Sequence, residues 1–221
     1  MNILIIGASR GIGLEFVRQY RAAGAQVTAT ARDEAGLAAL RALGAEALTL
    51  DVAEADSASR LAPQIQGQAF DIAVIVAGVY GPHSAALEPP PLDDFDAVMR
   101  TNVLGPMRVI PQLADALVPG AKLAVISSRM GSIGSRLSPS GWLYRASKAG
   151  VNSVLKDASL VLAGKAVCVS FHPGWVRTDM GGKGADLSPE QSVADMRRVL
   201  AAITPRDNGR FLNHDGGSID W

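Results

Sequence analysis

The chain has 221 residues, of which 21 are Lys or Arg and 21 are Asp or Glu, so its formal net charge is zero. That balance excludes a broad basic surface for nucleic acid, an acidic tail and a polybasic membrane patch. With 48% hydrophobic and 19% charged residues, the chain can bury a sizeable core, and its length suits one domain over residues 1–221.

Short apolar runs recur along the chain at residues 3–6, 27–30, 47–50, 72–76, 123–126 and 167–171, with Phe211 and Leu212 in a last strand. Most lack polar alternation, the pattern of parallel strands covered on both faces. Between them lie helical spacings, first Ile12, Phe16, Val17 and Tyr20, then Leu37, Leu40 and Leu43. Strand and helix therefore alternate from the start. This predicts an α/β fold: a doubly wound, mostly parallel seven-stranded sheet with helices on both faces. Pro89, Pro90 and Pro91 form a stiff loop into a helix starting near Leu92. No basic leader precedes Ile3, and no apolar run approaches the roughly eighteen residues of a membrane helix. A soluble, cytoplasmic protein without membrane or nucleic-acid partners is expected. The one cysteine, Cys168, reads as a buried strand residue, and His83, His172 and His214 lack ligand spacing, so no metal site is expected.

Directly after the first strand stands Gly7-Ala8-Ser9-Arg10-Gly11-Ile12-Gly13, followed by an amphipathic helix. Glycines there allow a sharp turn, close backbone approach to a pyrophosphate and tight packing of helix on strand; the helix N-terminus offers N–H donors to an anion. Gly7, Ser9, Arg10, Gly11, Ile12 and Gly13 are thus candidate cofactor contacts. The same string matches the G-x-S-x-G elbow of hydrolases. Against that, a first strand has no preceding strand to supply an oxyanion loop, and Gly13 is needed only for dinucleotide approach. At the end of the second strand, Thr30-Ala31-Arg32-Asp33 has no acid where NAD selectivity would place one. Arg10 and Arg32 instead suit a 2′-phosphate, which favours NADP(H) over NAD(H). Asp33 could contact ribose, but its role as N-cap of the helix through Leu43 is preferred.

Tyr144 and Lys148 stand four residues apart in Tyr144-Arg145-Ala146-Ser147-Lys148, on one face of a helix. A cation there would lower the phenol pKa and make Tyr144 a general acid or base at a carbonyl or alcohol oxygen.

Taken in order, these motifs resemble the short-chain dehydrogenase/reductase family over essentially the whole chain, and several strings resemble its C-factor-like and carbonyl-reductase branch. The resemblance implies that Asp51 and Val52 sit at adenine. Ala77 and Gly78 end an N-A-G segment, and Pro173, Gly174, Val176 and Thr178 approach nicotinamide. It further implies Ser128, Tyr144, Lys148 and Asn102 as the catalytic set. Tyr144 would donate the proton, and Lys148 would hold the nicotinamide ribose. Ser128 would orient the carbonyl, and Asn102, on the helix before the fifth strand, would anchor a water next to Lys148. Val76 replaces the usual Asn of N-A-G, and Ile6 the usual Thr. The sixteen-residue gap from Ser128 to Tyr144 is longer than usual and leaves Ser127 and Ser132 as alternatives to Ser128. A small carbonyl or alcohol substrate, chosen by residues 132–143 and a flap at 180–188, and a homodimer or homotetramer follow as expectations. A signalling role with secondary or no turnover is the competing reading.

Overall fold

The computed structural model describes residues 1–83 and 88–221. Its centre is one seven-stranded sheet of order β3-β2-β1-β4-β5-β6-β7. The strands are β1 (Asn2–Ile6), β2 (Gln26–Ala31), β3 (Glu46–Thr49), β4 (Phe70–Ile75), β5 (Leu117–Ile126), β6 (Ala166–His172) and β7 (Arg210–Asn213). Every neighbouring pair is parallel. The helices are α1 (Gly11–Ala22), α2 (Glu34–Ala42), α3 (Ala55–Ser59), α4 (Leu61–Gln64), α5 (Leu92–Met99), α6 (Gly105–Leu113), α7 (Trp142–Val161) and α8 (Pro189–Ala202).

Alternate residues of each central strand enter opposite cores, which is why polar residues are missing from both faces. Ile3 and Ile5 join Phe16, Val17, Val193, Met196 and Leu200 beneath α1 and α8. Leu4 and Ile6 join Val109, Leu113, Val151 and Leu155 beneath α6 and α7. Helix starts follow local chemistry. Asp33 caps α2, its Oδ1 accepting the Gly36 N–H at 2.8 Å. Ser188 caps α8, with Pro189 in its first turn.

Two details depart from the pattern read in the sequence. Strand β5 starts at Leu117 instead of near Leu123, because Phe70 pairs with Leu117 and Ile72 with Lys122 across an irregular step. Pro119 and Gly120 fall inside that step and disguise the strand's beginning. The helix expected to carry Asn102 is also interrupted: a π-helical turn, Arg100–Leu104, separates α5 from α6.

The chain builds β1, β2 and β3 in one direction, then returns across β1 to place β4 to β7 on the other side. Connections therefore leave β1 and β4 toward opposite faces. This opens a crevice at their carboxyl ends, the usual ligand position in such sheets. No described helix is long and apolar enough to cross a membrane.

Candidate active site

A cleft of about 460 Å3 occupies that crevice. Gly7, Ser9, Arg10, Gly11 and Ile12 line one end, with Arg32, Asp51 and Val52 beside them and Ala77 and Gly78 on the floor. Tyr144, Lys148, Pro173 and Thr178 line the other end. Residues scattered over 170 positions thus meet in one groove because each lies just past the carboxyl end of a strand or on the helix that follows.

Three of the expected cofactor residues do not face the cleft. Gly13 lies beneath it: a Cβ there would sit 2.3 Å from the Gly7 carbonyl oxygen, so glycine lets α1 pack onto the turn. Gly174 packs against Leu187 and His214. Val176 is buried and bridges to Leu187. This bridge, with Arg177 donating to the carbonyls of Ala185 and Asp186, ties the expected flap to the strand-end segment.

The turn suits an anionic group. No side chain caps α1, so its first N–H groups remain available at the cleft. Arg10 and Arg32 are exposed and held only by surface pairs, Arg10 to Asp179 at 2.9 Å and Arg32 to Asp51 at 3.9 Å. Such pairs exchange readily for a phosphate because exposed ion pairs contribute little, about 0–1 kcal/mol.

At the other end α7 brings Tyr144 and Lys148 onto one face, both buried. Of the three candidate serines, Ser128 is the one that acts on the Tyr144 hydroxyl, opposing the rise in its pKa, and its Oγ also accepts the Met130 N–H at 3.1 Å. Ser127 Oγ donates to the Lys148 carbonyl at 3.3 Å, and Ser132 Oγ accepts the Ser135 N–H at 3.0 Å. Lys148 Nζ donates to the Ile126 carbonyl at 3.0 Å and stands 5.6 Å from the centre of the Tyr144 ring. Burial pushes its pKa down to about 8. Gly78 makes room for these groups: a Cβ there would lie 3.3 Å from both Lys148 Nζ and Asn102 Oδ1.

The Tyr144 phenol differs from the sequence expectation. Its pKa is raised, chiefly by burial; the Ser128 hydroxyl opposes the rise and Tyr80 adds to it. Lys148, anchored at Ile126, does not overcome the loss of hydration, so in the protein alone Tyr144 stays protonated. Asn102 is also more committed than expected. Its Nδ2 donates to Val79 O at 2.7 Å and to Ser147 Oγ at 2.9 Å, and its Oδ1 accepts the Val79 N–H at 2.8 Å. The side chain thereby pins the segment after β4 to α7.

Tyr80, which the motifs do not single out, stacks on Tyr144 with ring centres 4.5 Å apart. Its only signal in the sequence is an aromatic residue just past Ala77-Gly78. Trp142 is half-buried and Trp175 exposed, the latter donating to the Gly181 carbonyl. Cys168 is a buried strand residue, as expected, with its thiol pushed up to about 12 by burial. A larger cleft, of about 660 Å3, opens at the amino ends of the strands. Its cations are already engaged, Lys122 with Ala201 O, Arg197 with Gln19 and Arg198 with Asp195.

A family model described as short chain dehydrogenase matches residues 1–186. The chain belongs to this family. As a short-chain dehydrogenase it is an oxidoreductase of alcohol and carbonyl groups. It is 38% identical over 134 residues to C-signal of Myxococcus xanthus, covering 58% of this chain and 81% of that protein. Among solved structures, an NADP-bound short-chain dehydrogenase/reductase from Burkholderia multivorans matches with a TM-score of 0.91 and 33% identity, over 100% of this chain and 99% of the other. A carbonyl reductase from Pseudomonas aeruginosa PAO1 in complex with NADP matches with a TM-score of 0.88 and 32% identity, again over 100% and 99%.

Proposed function

We propose that this short-chain dehydrogenase interconverts a small carbonyl compound and its alcohol with NADP(H), using Tyr144 as general acid and base. The observation that carries this reading is the placing of Tyr144 and Lys148, with Ser128 acting on the phenol, at one end of a cleft whose other end is an uncapped helix N-terminus flanked by two arginines. NADP bound in the similar Burkholderia and Pseudomonas structures supports the same cofactor here.

Gly7, Ser9, Gly11 and Ile12 would hold the pyrophosphate through backbone N–H groups, with Gly13 allowing α1 to close on the turn. Arg10 and Arg32 would hold the 2′-phosphate, and Asp51 and Val52 the adenine. Ala77, Gly78, Pro173 and Thr178 would form the path to the nicotinamide, with Gly174 and Val176 supporting that segment from behind. When bound, the cofactor supplies or accepts the hydride.

The chain's own residues manage the proton. Ser128 hydrogen-bonds the substrate oxygen and holds it at the Tyr144 hydroxyl. Tyr144, kept protonated by burial, donates its proton as negative charge develops on that oxygen, so the carbonyl becomes an alcohol. Lys148, charged below about pH 8, then stabilises the phenolate and would bind the ribose hydroxyls. A water at Asn102 would be the route for reprotonation. In oxidation the same groups run in reverse.

Removing a general acid costs about 10²–10⁴ in rate. Tyr144→Phe is therefore expected to abolish most NADPH oxidation across a panel of ketones, aldehydes and quinones while leaving NADPH affinity intact. Wild-type turnover in that variant would overturn the role of Tyr144. The likeness to C-signal favours a second reading, a dinucleotide-binding signalling protein. Tight NADPH binding with no turnover on any carbonyl would select it. We further propose that residues 1–221 fold as one domain and self-associate. Phe95, Met107, Leu160 and Val161 leave apolar surface exposed for this, and light scattering of the eluted protein would give the stoichiometry.

A further inference from the structure

The catalytic phenol is covered by a second aromatic residue. Tyr80 stacks on Tyr144 with ring centres 4.5 Å apart and planes 24° from parallel. The His83 ring also packs on Tyr80, with centres 4.6 Å apart and a tilt of 31°. The Tyr80 hydroxyl also abuts the start of α7: a Cβ on Gly141 would lie 2.8 Å from it and 3.1 Å from the Met130 methyl. Tyr80 is thus held by neighbours besides Tyr144. Its segment is fixed in turn by Asn102, which bonds both the N–H and the carbonyl of the adjacent Val79.

Stacking at this separation fixes a ring's tilt without touching its hydroxyl. For Tyr144 that tilt matters because Cβ allows the phenol to swing, and the hydroxyl must stay with Ser128 and the substrate oxygen. Lys148, bonded to Ile126, holds its charge 5.6 Å from the ring centre and does not stack on the ring. Ser128 reaches only the hydroxyl. The face of the ring is left to Tyr80.

We propose that Tyr80 is a positioning residue for the proton donor: its clamped ring sets the orientation of Tyr144 and closes that face to substrate and water. Substrate then reaches Tyr144 at the hydroxyl edge and cannot stack on it. This inference depends on Tyr144 being the proton donor.

The test compares wild type, Tyr80→Leu, Tyr80→Phe and Tyr144→Phe, with Tyr80→Met replacing the leucine variant should that one not fold. Steady-state rates are measured with NADPH and one accepted carbonyl compound in H2O and in D2O. Tyr80 does not line the dinucleotide cleft, so NADPH affinity should hold in the Tyr80 variants. Tyr80→Leu is expected to lower kcat by about 10- to 100-fold, the scale of a misplaced reacting group. KM should change little and the solvent isotope effect on kcat should rise, because proton transfer has become limiting. Tyr80→Phe keeps the ring and should restore most of the rate. A Tyr80→Leu enzyme with lowered thermal stability but wild-type kcat and isotope effect would overturn the proposal. So would an equal loss in Tyr80→Phe, which would make the hydroxyl and not the ring the active part. Full activity in Tyr144→Phe would instead overturn the underlying role of Tyr144.

Discussion

Replacing Arg32 by Ala should change which dinucleotide the enzyme prefers more than how fast it turns over. A guanidinium contact with a phosphate is a charge-assisted hydrogen bond, contributing about 1.5–3 kcal/mol. The Arg32–Asp51 pair must first open; at 3.9 Å between an exposed guanidinium and a partly exposed carboxylate that costs about 1 kcal/mol or less. The net loss for NADPH is then about 0.5–3 kcal/mol, or about 2- to 140-fold in kcat/KM at 1.4 kcal/mol per decade. NADH lacks the 2′-phosphate, so its kcat/KM should change by less than about threefold. The assay measures kcat/KM for both dinucleotides with one saturating carbonyl compound, at low and moderate salt. The NADPH-specific loss should shrink as salt rises, since exposed charges are screened. An equal effect on NADPH and NADH, or a wild-type preference for NADH, would refute the assignment of Arg32 to the 2′-phosphate.

Two further outcomes follow from the geometry of the site. Lys148 has a pKa of about 8 in the folded protein, lowered by burial from the 10.5 of a free lysine. Below pH 8 both states bind the proton and the folded state carries the full penalty, about 3 kcal/mol. Between pH 8 and 10.5 the unfolded chain binds more protons, so stability rises with pH. Lys148→Met should remove this penalty, offset by about 1 kcal/mol for the lost bond to Ile126. The inactive variant should therefore melt higher than wild type at pH 7, with the gap closing by pH 10; a lower melting temperature at pH 7 would contradict this. Gly13→Ala places a methyl 2.3 Å from the Gly7 carbonyl oxygen. It should cost about 1–3 kcal/mol of stability and lower NADPH affinity at least tenfold in a fluorescence titration, and wild-type binding would exclude tight packing of α1 on the turn.

The sequence by itself determined the alternation of strand and helix, the phosphate turn and the Tyr144–Lys148 face. Each of these is local. A buried strand needs an unbroken apolar run, a helix cap needs Asp33 three residues before Gly36, and an i,i+4 pair shares a helix face whatever surrounds it. Where local signals mislead, the reading missed: Pro119 and Gly120 hid the first half of β5, and nothing near Asn102 announced a π turn.

Tertiary structure decided what depends on residues distant in sequence. Three serines compete on paper, and each Oγ meets a backbone group, but only the course of the chain from the end of β5 brings Ser128 to act on the Tyr144 hydroxyl. The sign of the Tyr144 shift is likewise invisible in Y-x-x-x-K. A neighbouring lysine favours phenolate and burial opposes it, and only the packing of Tyr80 over the ring, with Lys148 drawn away to Ile126, shows that burial prevails. Charge told a similar story. The net charge of zero gives no hint of an anion site, yet two arginines from separate turns meet at one cleft. Spacing fixed which residues could act, and burial fixed how their protons are held.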